Sequence, residues 1–274
     1  MPSDDNHFED MVVFNFGLFC KVTAEAKSGY ALIDTGATNS GITEVLAQNL
    51  KPVRQSATGG AHGQSPTNIY ELPSLEFAGQ SFHNVRVSQA QAYEEFPSQV
   101  FMRLGTPQLL SKPLILDFKQ LKIGFTPDLA KLEWRYPSSY FVHGLPFMEL
   151  SHHDKPVQAL FDSGAGFSVL NSARLEELGI TFSKINTYTL PVTDVNGQTF
   201  EQTIVVVQNL ECAGHMLPAT EFILMDFSGV EKTLNQRLDL VLGANTMLRA
   251  GWIWLIDRSQ NSIGFSTEGF LNYS

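Results

Sequence analysis

Apolar residues fall in short runs at 11–22, 30–33, 69–77, 85–87, 114–118 and 121–125, rich in β-branched, aromatic and leucine side chains. Such runs predict strands that bury one or both faces. The scheme returns at 141–150, 157–161, 188–192, 203–207, 221–224 and 252–256. Turn formers separate the runs, as in Ala26-Lys27-Ser28-Gly29, Val195-Asn196-Gly197 and Arg258-Ser259-Gln260-Asn261. Helical spacing occurs in two places. Over 42–50 it puts Ile42, Val45, Leu46 and Leu50 on one face, and over 171–178 it puts Ala173, Leu175 and Leu178 together behind Asn171 as a cap. The pattern predicts an all-β protein with a few short helices.

The two sets of strands are copies of one another. Ala31-Leu32-Ile33-Asp34-Thr35-Gly36-Ala37 is echoed by Ala159-Leu160-Phe161-Asp162-Ser163-Gly164-Ala165 at an offset of 128. Gly63-Gln64 returns as Gly197-Gln198 at 134, Leu75-Glu76-Phe77-Ala78-Gly79 as Leu210-Glu211-Cys212-Ala213-Gly214 at 135, and Leu104-Gly105 as Leu242-Gly243 at 138. The matches keep their order and the offset grows slowly, as insertions in loops would make it grow. A charged, proline-flanked stretch at 127–139 breaks the strand pattern and reads as a linker, which gives one lobe over 1–126 and a second over 140–274.

Composition narrows the functions open to such a chain. With 274 residues, 43% hydrophobic and 17% charged, it has the make-up of an ordinary globular protein of one large or two modest domains. A net charge of −10 argues against nucleic acid as a partner, because phosphate binding needs clustered Lys and Arg. No apolar run is long enough for a spanning helix, so no membrane partner is expected. The acidic, polar first ten residues lack the basic start and apolar stretch of a secretory signal, which favours a cytoplasmic location. Cys20 and Cys212 are the two cysteines, each inside an apolar run; buried free thiols are the favoured reading over a disulfide. His152-His153-Asp154 has metal-ligating side chains but no third anchor in the sequence nearby, and is read as a solvated turn, so no metal is expected.

The chemistry lies in the repeated motif. In each copy an apolar strand delivers an aspartate, Asp34 or Asp162, to its end. The hydroxyl residue beside it, Thr35 or Ser163, can hydrogen-bond backbone across a tight turn. The glycine, Gly36 or Gly164, lets the turn close and a second backbone approach, and a small Ala37 or Ala165 keeps the site compact. Asp, Thr, Ser and Gly are common in turns, so one copy alone would say little. Two copies at one place in a repeat say that the two aspartates belong together.

On these motifs the chain resembles aspartic proteases of the pepsin and retropepsin superfamily, in single-chain, two-lobed form. Ala after the glycine in Asp34-Thr35-Gly36-Ala37-Thr38-Asn39-Ser40 is closest to the retropepsin-like members. Leu175-Glu176-Glu177-Leu178-Gly179 is similar to bacterial retropepsin-like families. The resemblance covers about residues 11 to 266 and implies the two-lobed, all-β acid-protease fold. It implies Asp34 and Asp162 as catalytic carboxylates of a peptidase acting on a peptide or protein substrate, without cofactor, and as a monomer because one chain supplies both. Thr35 and Ser163 would brace the two loops against each other, and Gly36 and Gly164 would present backbone to an extended substrate. The glycines of Leu104-Gly105 and Val241-Leu242-Gly243 would pack against the loops, where a side chain would collide. Gly60, His62, Gly63 and Gln64 fall at the family's flap, with Asn196 and Gly197 at the counterpart in lobe two; a plain exposed hairpin is the competing reading. Thr38 and Gly166 mark the step that holds substrate backbone, and Gly166 implies fewer contacts on its side. Pepsin-like enzymes often carry a hydroxyl at the positions of Ala37 and Ala165 that favours the charged carboxylate. Its absence implies a less acidic working range than pepsin's. The alternative function is a catalytically silent peptide-binding relative of the same fold.

Overall fold

Strand Lys27–Ile33 ends in Ala31, Leu32 and Ile33, all buried, and a strand apolar on both faces needs covering on both sides and partners on both edges. The computed structural model describes residues 7–60, 63–89, 99–125, 132–180, 182–193, 199–268 and 271. In it this strand lies between Gly17–Ala24, antiparallel, and Val100–Leu104, parallel, with Leu32 opposite Arg103 and Ile33 opposite Leu104. The chain then loops over the end of Val100–Leu104 and returns on its far edge as Gly41–Ile42, with Gly41 opposite Arg103. Gly41–Ile42 in turn lies parallel to Gln80–Gln89.

Lobe two repeats each pairing. Lys155–Phe161 lies between Leu145–His152, antiparallel, and Leu240–Leu242, parallel, with Leu160 opposite Val241 and Phe161 opposite Leu242. Ser168–Asn171 takes the far edge, with Val169 opposite Val241, and runs parallel to Thr220–Met225. In both lobes the loop carrying the aspartate therefore straddles the end of a buried central strand. The fold is all-β, two-lobed and duplicated.

A further repeat binds the lobes into one body. Hairpin Leu114–Asp117 with Lys122–Phe125 and hairpin Ile253–Asp257 with Ser262–Ser266 share a sheet, in which Leu116 faces Trp254 and Leu114 faces Ile256. Ile123-Gly124-Phe125 and Ile263-Gly264-Phe265 are equivalent, at an offset of 140 that continues the earlier drift. Asp117 and Asp257 close the two turns alike, accepting from the Lys119 N–H at 2.8 Å and the Ser259 N–H at 2.9 Å. The outer edges also correspond, His7 against Phe125 and Arg135 against Phe265. Trp254, fully buried, packs on Phe161 at a ring separation of 5.0 Å and on Phe265 at 5.3 Å. One continuous core runs through both lobes.

Several local expectations need correcting. The runs 11–22 and 141–150 are each two strands: His7–Phe14 and Gly17–Ala24 in one, Ser139–Val142 and Leu145–His152 in the other. The breaks are two-residue turns in left-handed backbone, Asn15 (φ 47°) and Phe16 (φ 60°), then His143 (φ 52°) and Gly144 (φ 85°), the conformation that matches the twist of paired strands. The predicted helix over 42–50 shrinks to Glu44–Ala47; Ile42 is in a strand and Val45 is exposed, leaving Leu46 as its anchor. Over 171–178 a single 3₁₀ turn, Ser172–Arg174, precedes Leu175–Leu178. Asn171 caps it by accepting from the Ala173 N–H at 3.1 Å, but Ala173 itself is exposed. Helices this short cannot stand on their own and present no full apolar face. The helices Thr106–Leu109, Ser228–Leu234 and Ala244–Ala250 were not foreseen. Of the expected linker, 127–131 lies outside the described residues, while Arg135 and Ser139–Val142 are already built into sheets. Among the described residues no helix is long and apolar enough to cross a membrane.

The His152-His153-Asp154 expectation also changes. His153 and Asp154 form the turn (φ 48° and 61°), but His152 closes strand Leu145–His152 and is fully buried. Among the described residues neither of its ring nitrogens has a hydrogen-bond partner, and the His153 ring lies 4.4 Å away. Burial first, then the proximity of His153 and Lys155, holds its imidazole below the ordinary value. The folded state therefore keeps His152 neutral where the unfolded chain takes up a proton. Stability should be lost as the pH falls from about 6.5 towards the lower folded value, and level off below that. Urea unfolding at stepped pH should show this slope in the parent and a reduced slope in His152→Leu; identical slopes would contradict it.

Candidate active site

Asp34 and Asp162 leave the ends of equivalent strands, and each holds its strand register through its backbone: the Asp34 N–H donates to Leu104 O and the Asp162 N–H to Leu242 O, both at 3.0 Å. The loops are then tied across the lobe boundary. Ser163 Oγ accepts from the Thr35 N–H at 3.1 Å and donates to Ile33 O at 2.8 Å. Thr35 Oγ1 accepts from the Ser163 N–H at 2.9 Å and donates to Phe161 O at 2.8 Å. Both hydroxyl residues are fully buried, so this reciprocal set satisfies groups that have no access to water.

The brace brings the two carboxyls close enough that each acts on the other's ionisation. It also sets each glycine against the opposite carboxyl. A Cβ on Gly36 would lie 2.3 Å from the carboxyl carbon of Asp162, and one on Gly164 would lie 2.4 Å from that of Asp34. No other residue fits at either place. Asp162 Oδ1 accepts from the Gly164 N–H at 2.9 Å and the Ala165 N–H at 3.2 Å. Ala37 is buried and Ala165 half-buried, and neither offers the carboxylates a hydroxyl.

A second layer supports the loops from behind. A Cβ on Gly105 would meet the Asn39 backbone at 2.6 Å, and one on Gly243 would meet that of Phe167 at 2.6 Å, as expected for strands pressed against the loops. Ser40 Oγ accepts from the Gly105 N–H and Ser168 Oγ from the Gly243 N–H, both at 2.9 Å. Ser40 donates to Gln108 Oε1 at 2.5 Å and Ser168 to Asn245 Oδ1 at 3.0 Å. These two buried serines were not singled out from the sequence. Their shared place, six residues after each aspartate, was the available signal.

Arg103 was missed for another reason. It precedes Leu104-Gly105 where lobe two has Val241, and the repeat marks Leu104-Gly105 but not the residue before it. Its Nε lies 3.5 Å from Asp34 Oδ2, with the side chain 9% exposed. Burial raises the pKa of both aspartates, but unequally. On Asp34 the Arg103 charge opposes the effect of burial, whereas on Asp162 the Asp34 charge adds to it and carries that carboxyl to about 7.

The remaining expected residues lie around this centre. Thr38 is exposed and Gly166 half-buried, the latter beneath the hairpin tip at Asn15 and Phe16. The Phe16 ring packs on Phe167 at 4.9 Å. Strands Arg54–Gly60 and Gly63–Phe77 form a hairpin paired as far as Gly60 and Gly63; its tip, with His62, and the side chain of Gln64 lie outside the described residues. In lobe two, Phe182–Thr193 and Thr199–Val207 pair as far as Thr193 and Thr199, and Asn196 and Gly197 lie outside the described residues. Cys20 and Cys212 are buried free thiols. No group of three or more metal-ligating side chains occurs among the described residues.

The chain matches the family model for aspartyl proteases over residues 21–107 and 148–246, once in each lobe. It belongs to the aspartyl protease family. No curated protein matches the chain. The two matched stretches span the two aspartate loops and the strands that hold them.

Thr35→Ala should orphan the Ser163 N–H and the Phe161 carbonyl inside the lobe boundary, at about 1–3 kcal/mol for each group. Thr35→Ser, which keeps the hydroxyl, should recover most of that loss. Equal stability of parent and Thr35→Ala in urea unfolding would show that the brace contributes nothing.

Proposed function

We propose that this protein is an endopeptidase of retropepsin-like type, with Asp34 and Asp162 as its catalytic pair. What supports this reading is the Thr35–Ser163 brace, which holds the two aspartate loops together at equivalent ends of two lobes and sets each glycine against the opposite carboxyl. Two carboxyls so placed share a proton, because ionising both at once sets like charges together in a buried site. The singly protonated pair can activate a water lying between them. The ionised carboxyl takes a proton from the water as its oxygen bonds to the peptide carbonyl carbon. The protonated carboxyl gives its proton to the carbonyl oxygen, leaving a neutral diol. The diol collapses when the amide nitrogen gains a proton, the C–N bond breaks and a hydroxyl proton returns to the pair.

The substrate of this reading is an extended peptide or protein segment, with backbone hydrogen bonds supplying affinity and side-chain pockets supplying choice. Within this reading the Gly60–Gly63 hairpin is the flap, and Thr38 and Gly166 lie on the substrate path. Both aspartates come from one chain, so the working unit is a monomer.

Activity should require one proton on the pair. It should fall at low pH, where both carboxyls are protonated, and above about 7, where Asp162 loses its proton. A peptide library incubated across this range should be cleaved most rapidly in the weakly acidic region, and a profile peaking below about pH 3 would contradict the assignment. Asp34→Asn and Asp162→Asn should each lower kcat by about 10²–10⁴-fold or more. Cleavage that survives either change would remove the pair from the mechanism. A folded parent that cuts nothing would favour the peptide-binding relative.

A further inference from the structure

Lobe symmetry fails at one charged position beside the paired aspartates. Val100–Leu104 and Leu240–Leu242 are the same strand in the two lobes, and their registers equate Arg103 with Val241. Val241 does what its sequence neighbours suggest, packing in an apolar cluster with Leu160, Phe227 and Leu238. Arg103 sits in the same frame, opposite Leu32 on one edge and Gly41 on the other, and is equally buried at 8% exposure. A guanidinium is charged throughout the pH range of interest, and burying it costs free energy unless an anion lies nearby. Here the anion is Asp34, with Nε 3.5 Å from Oδ2, while an Arg103 terminal nitrogen reaches Asn39 O at 3.5 Å. Among the described residues the charged groups acting on Asp34 are Arg103 and Asp162, and the one acting on Asp162 is Asp34.

We propose that Arg103 is a positioning residue that decides which aspartate carries the proton: Asp34 stays the carboxylate that takes a proton from the attacking water, and Asp162 is the acid that gives one to the carbonyl oxygen. The direction of proton flow rests on the peptidase reading; the order of protonation does not. In the first step the water O–H bond breaks towards Asp34, a C–O bond forms, the carbonyl π pair moves to oxygen, and that oxygen takes the Asp162 proton. Net charge on the pair is unchanged, but it moves from Asp34 to Asp162. Arg103 makes Asp34 a weaker base, so its contribution lies in populating the reactive singly protonated state further into acid. It thus supplies to one carboxyl what Ala37 cannot, while Asp162 has the Gly164 and Ala165 N–H groups but neither a hydroxyl from Ala165 nor a cation beside it.

The test titrates the two carboxyls directly. Protein carrying ¹³C-labelled aspartate side chains, with signals assigned through Asp34→Asn and Asp162→Asn, is followed by NMR from acid to neutral pH in the parent, Arg103→Met, Arg103→Gln and Arg103→Lys. In the parent Asp34 should ionise first. In Arg103→Met and Arg103→Gln its midpoint should rise by about one unit or more, and the two carboxyls should converge on shared titration curves. Arg103→Lys should restore the order. The acid limb of kcat/KM should move upward in the two neutral variants and return in Arg103→Lys. Asp162 ionising first in the parent, or an unchanged Asp34 midpoint in a folded neutral variant, overturns the proposal. Two neutral substitutes guard against one failing to fold. If the parent cleaves no peptide, the peptidase reading fails while the NMR titration still decides the role of Arg103.

Discussion

Everything at the centre of this molecule depends on the reciprocal hydrogen bonds between Thr35 and Ser163. Each hydroxyl accepts from the other lobe's loop and donates to the other lobe's strand end, so neither loop is complete alone. The brace forces the closeness that makes Gly36 and Gly164 obligatory, because each faces the opposite carboxyl with no room for a Cβ. The same closeness desolvates both carboxyls and couples their protons. Behind the loops, Ser40 and Ser168 repeat the logic, each hydroxyl holding the N–H of the glycine pressed against it.

Around that symmetric centre the lobes have diverged where symmetry is not required. Phe16 occupies a left-handed turn position that lobe two gives to Gly144, and its ring lies on Phe167 beside the half-buried Gly166. The strain of a bulky residue in that backbone is thus tied to a contact between lobes next to the site. Arg103 against Val241 is the larger departure. Replacing an apolar side chain by a cation in a buried frame changes the electrostatics of one aspartate and leaves the strand geometry alone. Duplicated folds can separate the roles of their two halves in this way. The scaffold needs equal backbones, while the chemistry proposed for the pair uses two carboxyls in different protonation states.

Much of this was legible because it is local. The apolar strand, aspartate, hydroxyl, glycine and alanine of each motif form a contiguous string, and the glycines of Leu104-Gly105 and Leu242-Gly243 stand at matching offsets. The fainter match of Ile123-Gly124-Phe125 with Ile263-Gly264-Phe265 lay in the same drift of offsets, and it marks the sheet that joins the lobes. The turns at Asn15-Phe16 and His143-Gly144 were hidden inside apolar runs, because hydrophobicity reports burial and not the two left-handed residues that reverse a chain. The apolar spacing at Val45 and Ala173 misled because short helices here are held by one leucine and by their neighbours, with no full helical face to read.

Periodicity and repetition carried the all-β class and the duplication, and the resemblance of the two Asp motifs carried the aspartyl protease family, since each rests on residue types at fixed spacing. What the tertiary structure alone decided is what lies next to what across long separations. His152 looked like part of a solvated turn and is buried, because strand Leu210–Cys212 pairs against it from another part of the chain. Arg103 carried no signal in the sequence and is the cation beside Asp34, because a parallel pairing sets it opposite Leu32, 71 residues back, on the strand that leads into the aspartate. Spacing along a chain encodes strands and loops; the electrostatic field at a carboxyl is set by whatever the fold packs around it, and that sum exists only once the chain has closed.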